Sequence, residues 1–594
     1  MPPVHRVLLA LILAAGLALR LWNIDYGLPF VYSVDEGSHF TSVAVEMFWQ
    51  DLDPGYYQNP AAFTYVLYLL LRVMYGPLGF VFDLPFGNVT EQFDKDPSEI
   101  WIAARALAAL MCVIGAAATY WAARRIWGVR EGLVAAAILC FAFLPVAYSR
   151  VAVTDVGALV GVALALGFAV RARDDGRLRD FALAGAAAGL AVAFKYTAGL
   201  VLLPLAIAAL ARARSDVGRA AAGVALAGAL AALVFVALNP YLLGSLDDWW
   251  SDLRSQAEVA ADQPKPGQQS GGVSYYLDSL TWGLGWAAAL AALAGMVVEL
   301  RRDRVRALML AALPVALFAY LSAQSRYFGR WLLPAYPALA LLSAAALGQA
   351  SELVRHPRWR APALAGATAL VLLQPLAADI RSAQVLGRAD TREQAREYIE
   401  RHYPPGLRAS IEPAVPGRWF RSNPAGTLPT WLSRCPRRHG WTEPGFAYFD
   451  ETGARVCEQY KPGLVARPDG GVRASAYHLV LSPDVIDDYR LYGYCLVMTV
   501  NVVRDRALET GDRDARAYYE RLARESELVR EFSPYDEGTG PVPFSFDLSY
   551  NYYPPEYHRP GPTVQLRRLR DCAQATGPPI LRIPQATEPP PFES

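Results

Sequence analysis

The sequence predicts a polytopic α-helical membrane protein of about eleven spans, followed by a mixed α/β domain outside the membrane. Of the 594 residues, 54% are hydrophobic and only 19% are charged, whereas a soluble chain usually carries about 25% charged residues. The long apolar runs fall almost entirely within residues 1–379. From about residue 380 onward these runs shorten, and Pro, Arg and Tyr become more frequent. We therefore expect a membrane domain at 1–379, an extracytoplasmic domain at 380–573 and a Pro-rich tail at 574–594.

The composition also excludes several other classes of protein. The 56 Lys and Arg residues against 55 Asp and Glu leave a formal net charge of +1. A nucleic-acid binder is disfavoured, because a near-zero net charge offers no basic surface to the phosphates. The high apolar content excludes an intrinsically disordered chain, and the chain is far too long for a small disulfide scaffold.

Eleven apolar runs are long enough to cross about 30 Å of hydrocarbon. Two of them are short and meet at Lys195, so we expect half-embedded or tilted helices there. A further apolar stretch, Pro60 to Phe82, is ambiguous by length. The expected spans lie near residues 6–24, 100–123, 131–148, 156–170, 181–194, 197–211, 219–238, 279–299, 305–321, 331–349 and 361–378.

The arginines between the spans predict the orientation, because basic residues of short loops stay in the cytoplasm. The first run follows a short basic start and is typical of an uncleaved signal anchor. If Pro60–Phe82 returns to the side from which it came, every basic cluster falls inside and the C-terminal part falls outside. The clusters are Arg124/Arg125/Arg130, Arg171/Arg173/Arg177/Arg179, Arg212/Arg214/Arg219, Arg301/Arg302/Arg304/Arg306 and Arg355/Arg358/Arg360.

With this orientation, the remaining polar interruptions of the apolar helices all lie at the outer face. Polar groups that interrupt membrane helices are costly, and they usually line a cavity. Five of them at one face predict an active site or a transport site there. They are the loop 25–59, the segment Ser149–Asp155, Lys195–Tyr196, Asn239–Tyr241 and Gln324–Arg330.

The first outer loop contains an acidic pair, Asp35 and Glu36, among aromatic residues. A partly buried carboxyl has a raised pKa, which suits a general base or a site for a sugar hydroxyl. The alternative is a solvated pair in the first turn of a short helix that begins near Ser33.

The cationic residues at the outer face are candidates for holding an anion. Lys195 is one of only four lysines among 52 arginines, and apolar helices flank it on both sides. A bound phosphate or a buried acid must offset its desolvation, unless it snorkels to the interface. Arg150 is five residues before Asp155, so a local ion pair is the alternative to an anion site. Arg326 and Arg330 open a later span, where they either bind phosphate in bidentate fashion or anchor to lipid headgroups.

The order of these motifs resembles the GT-C glycosyltransferases of the protein O-mannosyltransferase and aminoarabinose transferase type. The resemblance rests on the Asp35-Glu36 loop, the element before Pro60, Arg150 with Asp155, Phe194-Lys195-Tyr196, Asn239-Pro240 and Arg330-Trp-Leu-Leu-Pro334. It implies a sugar donor linked to a polyprenyl phosphate, which is bound from the membrane. It also implies transfer at the outer face of the cell membrane to a lipid, glycan or protein acceptor.

The resemblance assigns roles to the candidates by position. Asp35 corresponds to the family's loop acid, the base for the acceptor hydroxyl, with Glu36 beside it and Asp155 as a second acid. Lys195, Arg150 and Arg330 correspond to cations near the carrier phosphate. Many members have Lys or His before the proline at 60, where this chain has Asn59. The further candidates for carrier phosphate or sugar are Arg326, Tyr196, His39, Asn59 and Asn239.

The sequence supports no metal or other cofactor, because the candidate acid is the adjacent pair Asp35-Glu36 rather than an Asp-x-Asp motif. A single displacement would invert the anomeric centre. A non-catalytic transporter or flippase of lipid-linked sugars remains the alternative, since it explains the membrane charges equally well. It explains less well why acids and cations gather at one face.

For the C-terminal part, we expect helices at Thr391–His402 and Arg513–Glu531. We expect strands at Leu407–Ile411, Tyr477–Ser482 and Thr563–Leu569. Glycine-rich nucleotide-binding patterns are absent from the sequence, which agrees with a lipid-carried donor rather than a nucleotide sugar. Four cysteines, Cys435, Cys457, Cys495 and Cys572, allow three pairings in an oxidising compartment.

Overall fold

The computed structural model describes most of the chain outside two long stretches of the C-terminal part. The described residues are 3–49, 51–76, 88–262, 264, 271–404, 407, 409–412, 445–447, 482–509, 511, 513–543 and 554–575.

The first two thirds of the described chain are helical. Four short 3-10 turns interrupt or connect the long helices: the Asp155 turn (Asp155–Gly157), the Tyr196 turn (Tyr196–Val201), the Pro240 turn (Pro240–Leu243) and the Arg330 turn (Gly329–Ala335). A π-helical turn occupies Thr281–Gly285. The α-helices are α1 (Pro3–Leu21), α2 (Val34–His39), α3 (Thr41–Glu46), α4 (Ala62–Tyr75), α5 (Val89–Lys95), α6 (Ser98–Ile126), α7 (Val129–Phe141), α8 (Phe143–Tyr148), α9 (Ala158–Asp175), α10 (Leu178–Phe194), α11 (Leu202–Ala213), α12 (Val217–Ala237), α13 (Leu246–Asp262), α14 (Gly272–Leu280), α15 (Trp286–Arg302), α16 (Arg304–Ser322), α17 (Tyr336–Glu352) and α18 (Pro357–Leu386).

The predicted multi-span architecture is confirmed. In the described part of the chain, nine helical segments are long and apolar enough to cross a membrane, and each coincides with an expected span. The other two expected spans are present as shorter helices: α10 has 17 residues, and the run at 131–148 is divided between α7 and α8. The ambiguous stretch after Pro60 contains α4, an apolar helix of 14 residues.

Small residues bring several of these helices into close contact. A Cβ at Gly161 of α9 would lie under 3.0 Å from the backbone of α10 at Ala191. Gly185 and Gly189 of α10 meet the backbone of α12 in the same way, at Ala227 and Ala231. Close backbone approach through small residues is the usual basis of helix association in membranes. These glycines therefore hold α10, which ends at the candidate site, between α9 and α12.

The described C-terminal part contains a five-stranded sheet with helices. Its strands follow the order β2-β1-β3-β5-β4, with β1 parallel to β3 and the other neighbours antiparallel. Two hydrophobic clusters include residues of the sheet. One contains Ala395, Ile399 and Leu566, and the other contains Ile486 and Tyr518. The elements are α19 (Thr391–His402), β1 (Ala409–Ile411), β2 (Gly445–Ala447), α20 (Val485–Tyr492), β3 (Leu496–Val500), α21 (Asn501–Glu509), α22 (Arg513–Glu525), β4 (Ser526–Phe532) and β5 (Val564–Leu569).

The sequence predictions for this part are confirmed at some elements and wrong at others. Helix α19 has the expected bounds, and β5 covers the expected last strand. The helix expected over Arg513–Glu531 ends at Glu525, because the following residues pair with β5 as strand β4. The central strand β3 was not predicted, since all five of its residues are buried and show no alternation. The strand expected at 477–482 and nearly all of the tail lie outside the described residues.

A disulfide joins Cys495, just before β3, to Cys572, just after β5. It is one of the pairings that the sequence left open. Cys435 and Cys457 lie outside the described residues. Cys112 and Cys140 are buried free thiols in α6 and α7, as expected of cysteines that pack as small apolar residues.

The chain divides into two compact units at positions that differ from the expected boundary at 379. The membrane unit comprises residues 1–24, 39–90 and 99–384, and the C-terminal unit comprises 25–38, 91–98 and 385–594. The segment Asp25–Ser38 thus folds with the C-terminal unit. This segment carries Asp35 and Glu36.

The C-terminal unit contains a buried carboxyl group at Glu412. Its Oε1 accepts a hydrogen bond from Tyr519 Oη at 2.6 Å, and its Oε2 accepts one from the Val500 backbone N–H at 2.6 Å. Burial raises the pKa of Glu412 to about 8, although these two hydrogen bonds and Arg504 act in the opposite direction. Asp505 adds to the increase. The native state therefore holds a proton here that the unfolded chain releases near pH 4.5.

We predict that the C-terminal unit loses stability as the pH rises from about 4.5 to about 8. Since the native pKa is the higher one, the contribution is complete below the unfolded pKa and is lost on ionisation, by up to about 1.4 kcal/mol per pH unit. Glu412→Gln mimics the neutral form and should remove this part of the pH dependence. Thermal unfolding of the detergent-solubilised chain at several pH values measures it. Glu531→Gln on β4 is the control, and an equal effect there would contradict the assignment to Glu412.

Candidate functional site

The site in the membrane unit is built around a buried ion pair between Lys195 and Asp155. Lys195 Nζ donates to Asp155 Oδ1 at 2.7 Å. The two residues are only 9% and 5% exposed. Lys195 ends α10 in an extended backbone conformation, and Asp155 opens the Asp155 turn. Two charges far apart in sequence are thus brought together where apolar helices are interrupted.

Local packing fixes the end of α10 against the Asp155 turn. Thr154 Oγ1 donates to the carbonyl oxygen of Phe194 at 2.8 Å, so the residues that precede each charge are also joined. A Cβ at Gly157 would lie under 3.0 Å from the Phe194 ring. Glycine at 157 therefore lets the end of α10 lie directly against the Asp155 turn.

A third interruption, the Arg330 turn, packs against both the Asp155 turn and the Tyr196 turn. The Arg330 guanidinium lies 5.1 Å from the ring centroid of Phe328 and 5.9 Å from that of Tyr148. Arg326 lies just before this turn, and its backbone N–H donates to Ala260 O. The structure thus brings the Arg330 turn to the turns that carry Lys195 and Asp155, as expected if they share one site.

Arg150 lies deeper, among buried groups of the membrane unit. It is 1% exposed, and its Nη2 donates to the Leu19 carbonyl at the end of α1 at 2.7 Å. Its Nη1 lies 3.4 Å from Ser382 Oγ of α18. It also lies within electrostatic range of the buried Asp379 carboxylate of α18. These contacts tie α1 and α18 to the segment before the Asp155 turn, and the role predicted for Arg150 at the carrier phosphate stays a prediction.

The other candidates of the membrane unit gather on the loop before α4. Tyr196 Oη donates to the Tyr57 carbonyl at 3.0 Å and accepts from Trp249 Nε1 at 3.0 Å. Asn239 Oδ1 accepts the Ala61 backbone N–H at 2.7 Å. These bonds attach residues 57–61 to the Tyr196 turn, to α13 and to the end of α12.

His39 and Asn59 meet at the same loop through Tyr56. The His39 ring stacks on the Tyr56 ring with a centroid distance of 4.5 Å. Asn59 Nδ2 donates to Tyr56 Oη at 2.8 Å. Asn59 therefore helps to shape the loop on which Tyr56 lies.

An acidic cavity of about 230 Å³ lies beside this loop, and the sequence reasoning did not identify it. Asp53, Tyr57, Asp248 and Asp252 line it together with Gly55 and Ser251. Burial raises the pKa of Asp53, but hydrogen bonds from Tyr57, Gly55 and Ser245 outweigh it and leave the pKa below its usual value. The consecutive acids at 247 and 248 were the available signal. Among the described residues, no group of three His, Cys, Asp or Glu could hold a metal ion.

Asp35 and Glu36 lie in the C-terminal unit, in the first turn of α2. The short helix expected near Ser33 is therefore present, with Val34 as its first residue. Asp35 is partly exposed, whereas Glu36 is fully buried. Of this pair, Asp35 is therefore the acid that solvent can reach.

Comparison with known proteins supports the fold and the resemblance. The family described as dolichyl-phosphate-mannose-protein mannosyltransferase matches residues 99–241. The matched segment contains Arg150, Asp155, Lys195, Tyr196 and Asn239. No curated protein sequence matches the chain.

Three solved structures illustrate the structural likeness. The apo oligosaccharyltransferase of Archaeoglobus fulgidus matches with a TM-score of 0.53 at 14% identity, over 92% of this chain and 75% of that chain. AglB of the same organism, in complex with an inhibitory peptide and a dolichol-phosphate, gives 0.52 at 13% identity over the same shares. ArnT of Cupriavidus metallidurans bound to undecaprenyl phosphate gives 0.44 at 18% identity, over 66% of this chain and 72% of that chain. The first two matches confirm the predicted GT-C fold.

We predict that the Lys195–Asp155 pair is strongly coupled in stability. Lys195→Met or Asp155→Leu alone leaves an uncompensated buried charge, which typically costs about 3–5 kcal/mol. The double variant removes both charges and should recover most of that loss. Thermal unfolding of the four proteins in detergent measures the coupling, and losses that simply add would contradict the pair.

Proposed function

We propose that this protein is an integral membrane glycosyltransferase. It moves a sugar from a polyprenyl-phosphate carrier to a lipid, glycan or protein acceptor at the outer face of the cell membrane. The observation that carries the proposal is the buried Lys195–Asp155 pair at the junction of three helix interruptions, inside the segment that matches the mannosyltransferase family. None of the comparisons favours the transporter alternative.

The proposed reaction is a single displacement. The acceptor hydroxyl oxygen forms a bond to the anomeric carbon, and the bond from that carbon to the carrier phosphate breaks. The phosphate leaves with the electron pair, while the hydroxyl proton passes to Asp35. Because the new bond forms opposite the leaving group, the anomeric centre inverts.

In this mechanism the cations of the membrane unit stabilise the leaving phosphate. Lys195 is a compact donor that Asp155 holds in a desolvated place, and the ammonium has further N–H groups that can donate to a phosphate oxygen. Arg330 supplies planar donors from the adjoining turn. Such charge stabilisation is usually the largest single contribution to the rate. The reaction as written uses no cofactor.

The disulfide supports an extracytoplasmic C-terminal unit. Disulfides form and persist in oxidising compartments and are rare in the cytosol. The Cys495–Cys572 bond links the start of β3 to the end of its neighbour β5. We therefore propose that this unit, together with the first outer loop, lies on the outer side of the cell membrane.

We predict that Asp35→Asn lowers transfer by at least about 100-fold, as expected when a general base is removed. The assay uses the purified full chain and measures the transfer of radiolabelled hexose from a polyprenyl-phosphate donor to membrane acceptors. Asp25→Asn is the matched control, since Asp25 is an exposed acid of the same segment. Full transfer by Asp35→Asn would sink its assignment as the base.

The ion pair gives a second test, which separates function from stability. The double variant Lys195→Met/Asp155→Leu should unfold at a higher temperature than either single variant, close to that of the unaltered protein. Its sugar-transfer activity should nevertheless remain low. The control is Arg171→Met/Asp180→Leu, which removes an ion pair between a partly exposed arginine of α9 and a buried aspartate of α10 and should leave transfer intact. Recovered transfer in the first double variant would exclude Lys195 as a phosphate ligand.

The orientation is tested by labelling intact cells with a membrane-impermeant maleimide. A cysteine introduced at Glu258 on α13 should react, and one at Arg301 on α15 should not, relative to the parent chain. The expectation follows from the basic clusters of the short loops, which stay inside. Labelling at 301 in sealed cells would reverse the topology.

A further inference from the structure

The first part of the outer loop, Asp25–Ser38, is anchored in the core of the C-terminal unit. Phe30 and Tyr32 are each 6% exposed, and both belong to the same hydrophobic cluster as Ala395, Ile399 and Leu566. These partners lie on α19 and β5. Two aromatic side chains of a segment near the N-terminus therefore form part of a core that is otherwise built from residues after 385.

Two arginines of α19 cover the same two rings. The Arg396 guanidinium lies 4.8 Å from the Phe30 ring centroid, and that of Arg392 lies 4.0 Å from the Tyr32 centroid. Arg392 is fully buried and is held by both carboxylate oxygens of Asp390, at 2.8 and 2.7 Å. A cation–π contact is stronger when it is desolvated. Tyr32 thus packs on a guanidinium that has little freedom to move.

The backbone before the anchors is shaped to bring them into the core. Gly27 has a φ of +68°, and a Cβ at this position would lie under 3.0 Å from the Tyr32 ring. The hydroxyl of Tyr32 is buried and has no hydrogen-bond partner among the described residues. Tyr32 is therefore held by the contacts of its ring with Arg392 and the hydrophobic cluster, rather than by its hydroxyl.

We propose that Phe30 and Tyr32 are positioning residues that hold Asp35 in place for proton transfer. Helix α2 begins two residues after Tyr32, and Asp35 is its second residue. So short a connection transmits the position of the ring to the carboxylate with little backbone freedom. The inference rests on the proposed function in one respect, the role of Asp35 as the base. It gives the C-terminal unit a definite task, which is to carry the loop acid.

The test compares Phe30→Ala and Tyr32→Ala with Tyr32→Phe in the purified full chain, using a radiolabelled polyprenyl-phosphate hexose. The two alanine variants should lower kcat by at least about tenfold, because a small misplacement of a reacting group costs a large factor in rate. The KM for the donor should change less than about twofold, since the proposed phosphate ligands belong to the membrane unit. Tyr32→Phe keeps the ring and should retain full activity.

Ile486→Ala is the control for a general loss of stability. Ile486 is fully buried in the other hydrophobic cluster of the same unit. Its truncation should lower the unfolding temperature but leave kcat unchanged. An unchanged kcat in Tyr32→Ala, or an equal loss of kcat in Ile486→Ala, would overturn the proposal.

Amide hydrogen exchange of residues 25–38 gives a readout that does not depend on turnover. Exchange should rise in Tyr32→Ala and stay low in Tyr32→Phe and Ile486→Ala. Unchanged exchange in Tyr32→Ala would overturn the anchoring itself. Inactivity of the unaltered protein with polyprenyl-phosphate donors would instead overturn the proposed function and the catalytic reason for the anchor, while exchange would still decide whether the aromatic rings hold the loop.

Discussion

The membrane unit depends on one electrostatic constraint, the placement of a lysine ammonium among apolar helices. An isolated charge in such surroundings loses its hydration at a cost of several kcal/mol or more. Asp155 offsets this cost through a 2.7 Å contact. The contact requires α10 to end at Phe194 and the chain to turn at Asp155, so the ion pair and the two helix interruptions are one structural feature. Close packing at Gly157 lets the interruptions meet, and the bond from Thr154 to Phe194 aligns them.

The loops beside the ion pair extend the same arrangement. Tyr196, the next residue after Lys195, bonds to the loop before α4 and to Trp249 of α13. Asn239 binds the same loop at Ala61. The polar residues that interrupt the spans therefore bind one another. Such contacts help a membrane unit to keep irregular backbone, because they give freed polar groups partners within the protein.

Much of this architecture could be predicted from composition and charge, because both act locally along the chain. The spans follow from runs of apolar residues, and Lys195 was conspicuous in a chain that otherwise uses arginine. The partner of Lys195 could not be predicted, since helix packing brings Asp155 to it across 40 positions of sequence. Strand β4 was missed because its residues continue a helical pattern, and only pairing with β5 makes them a strand. The membership of Phe30 and Tyr32 in a distant core leaves no local signal at all.

The packing of Phe30 and Tyr32 in this core gives the C-terminal unit a role in the proposed function. The proposed phosphate ligands Lys195 and Arg330 belong to the membrane unit, whereas the proposed base belongs to the C-terminal unit through its anchored loop. The chain passes from the membrane unit to the C-terminal unit after Ile24 and returns at His39, the last residue of α2. The segment Asp25–Ser38 is therefore covalently continuous with the membrane unit and is packed into the other. The C-terminal unit supports the proposed base through the packing of Phe30 and Tyr32 in its core, and a chain without this unit would lose that support.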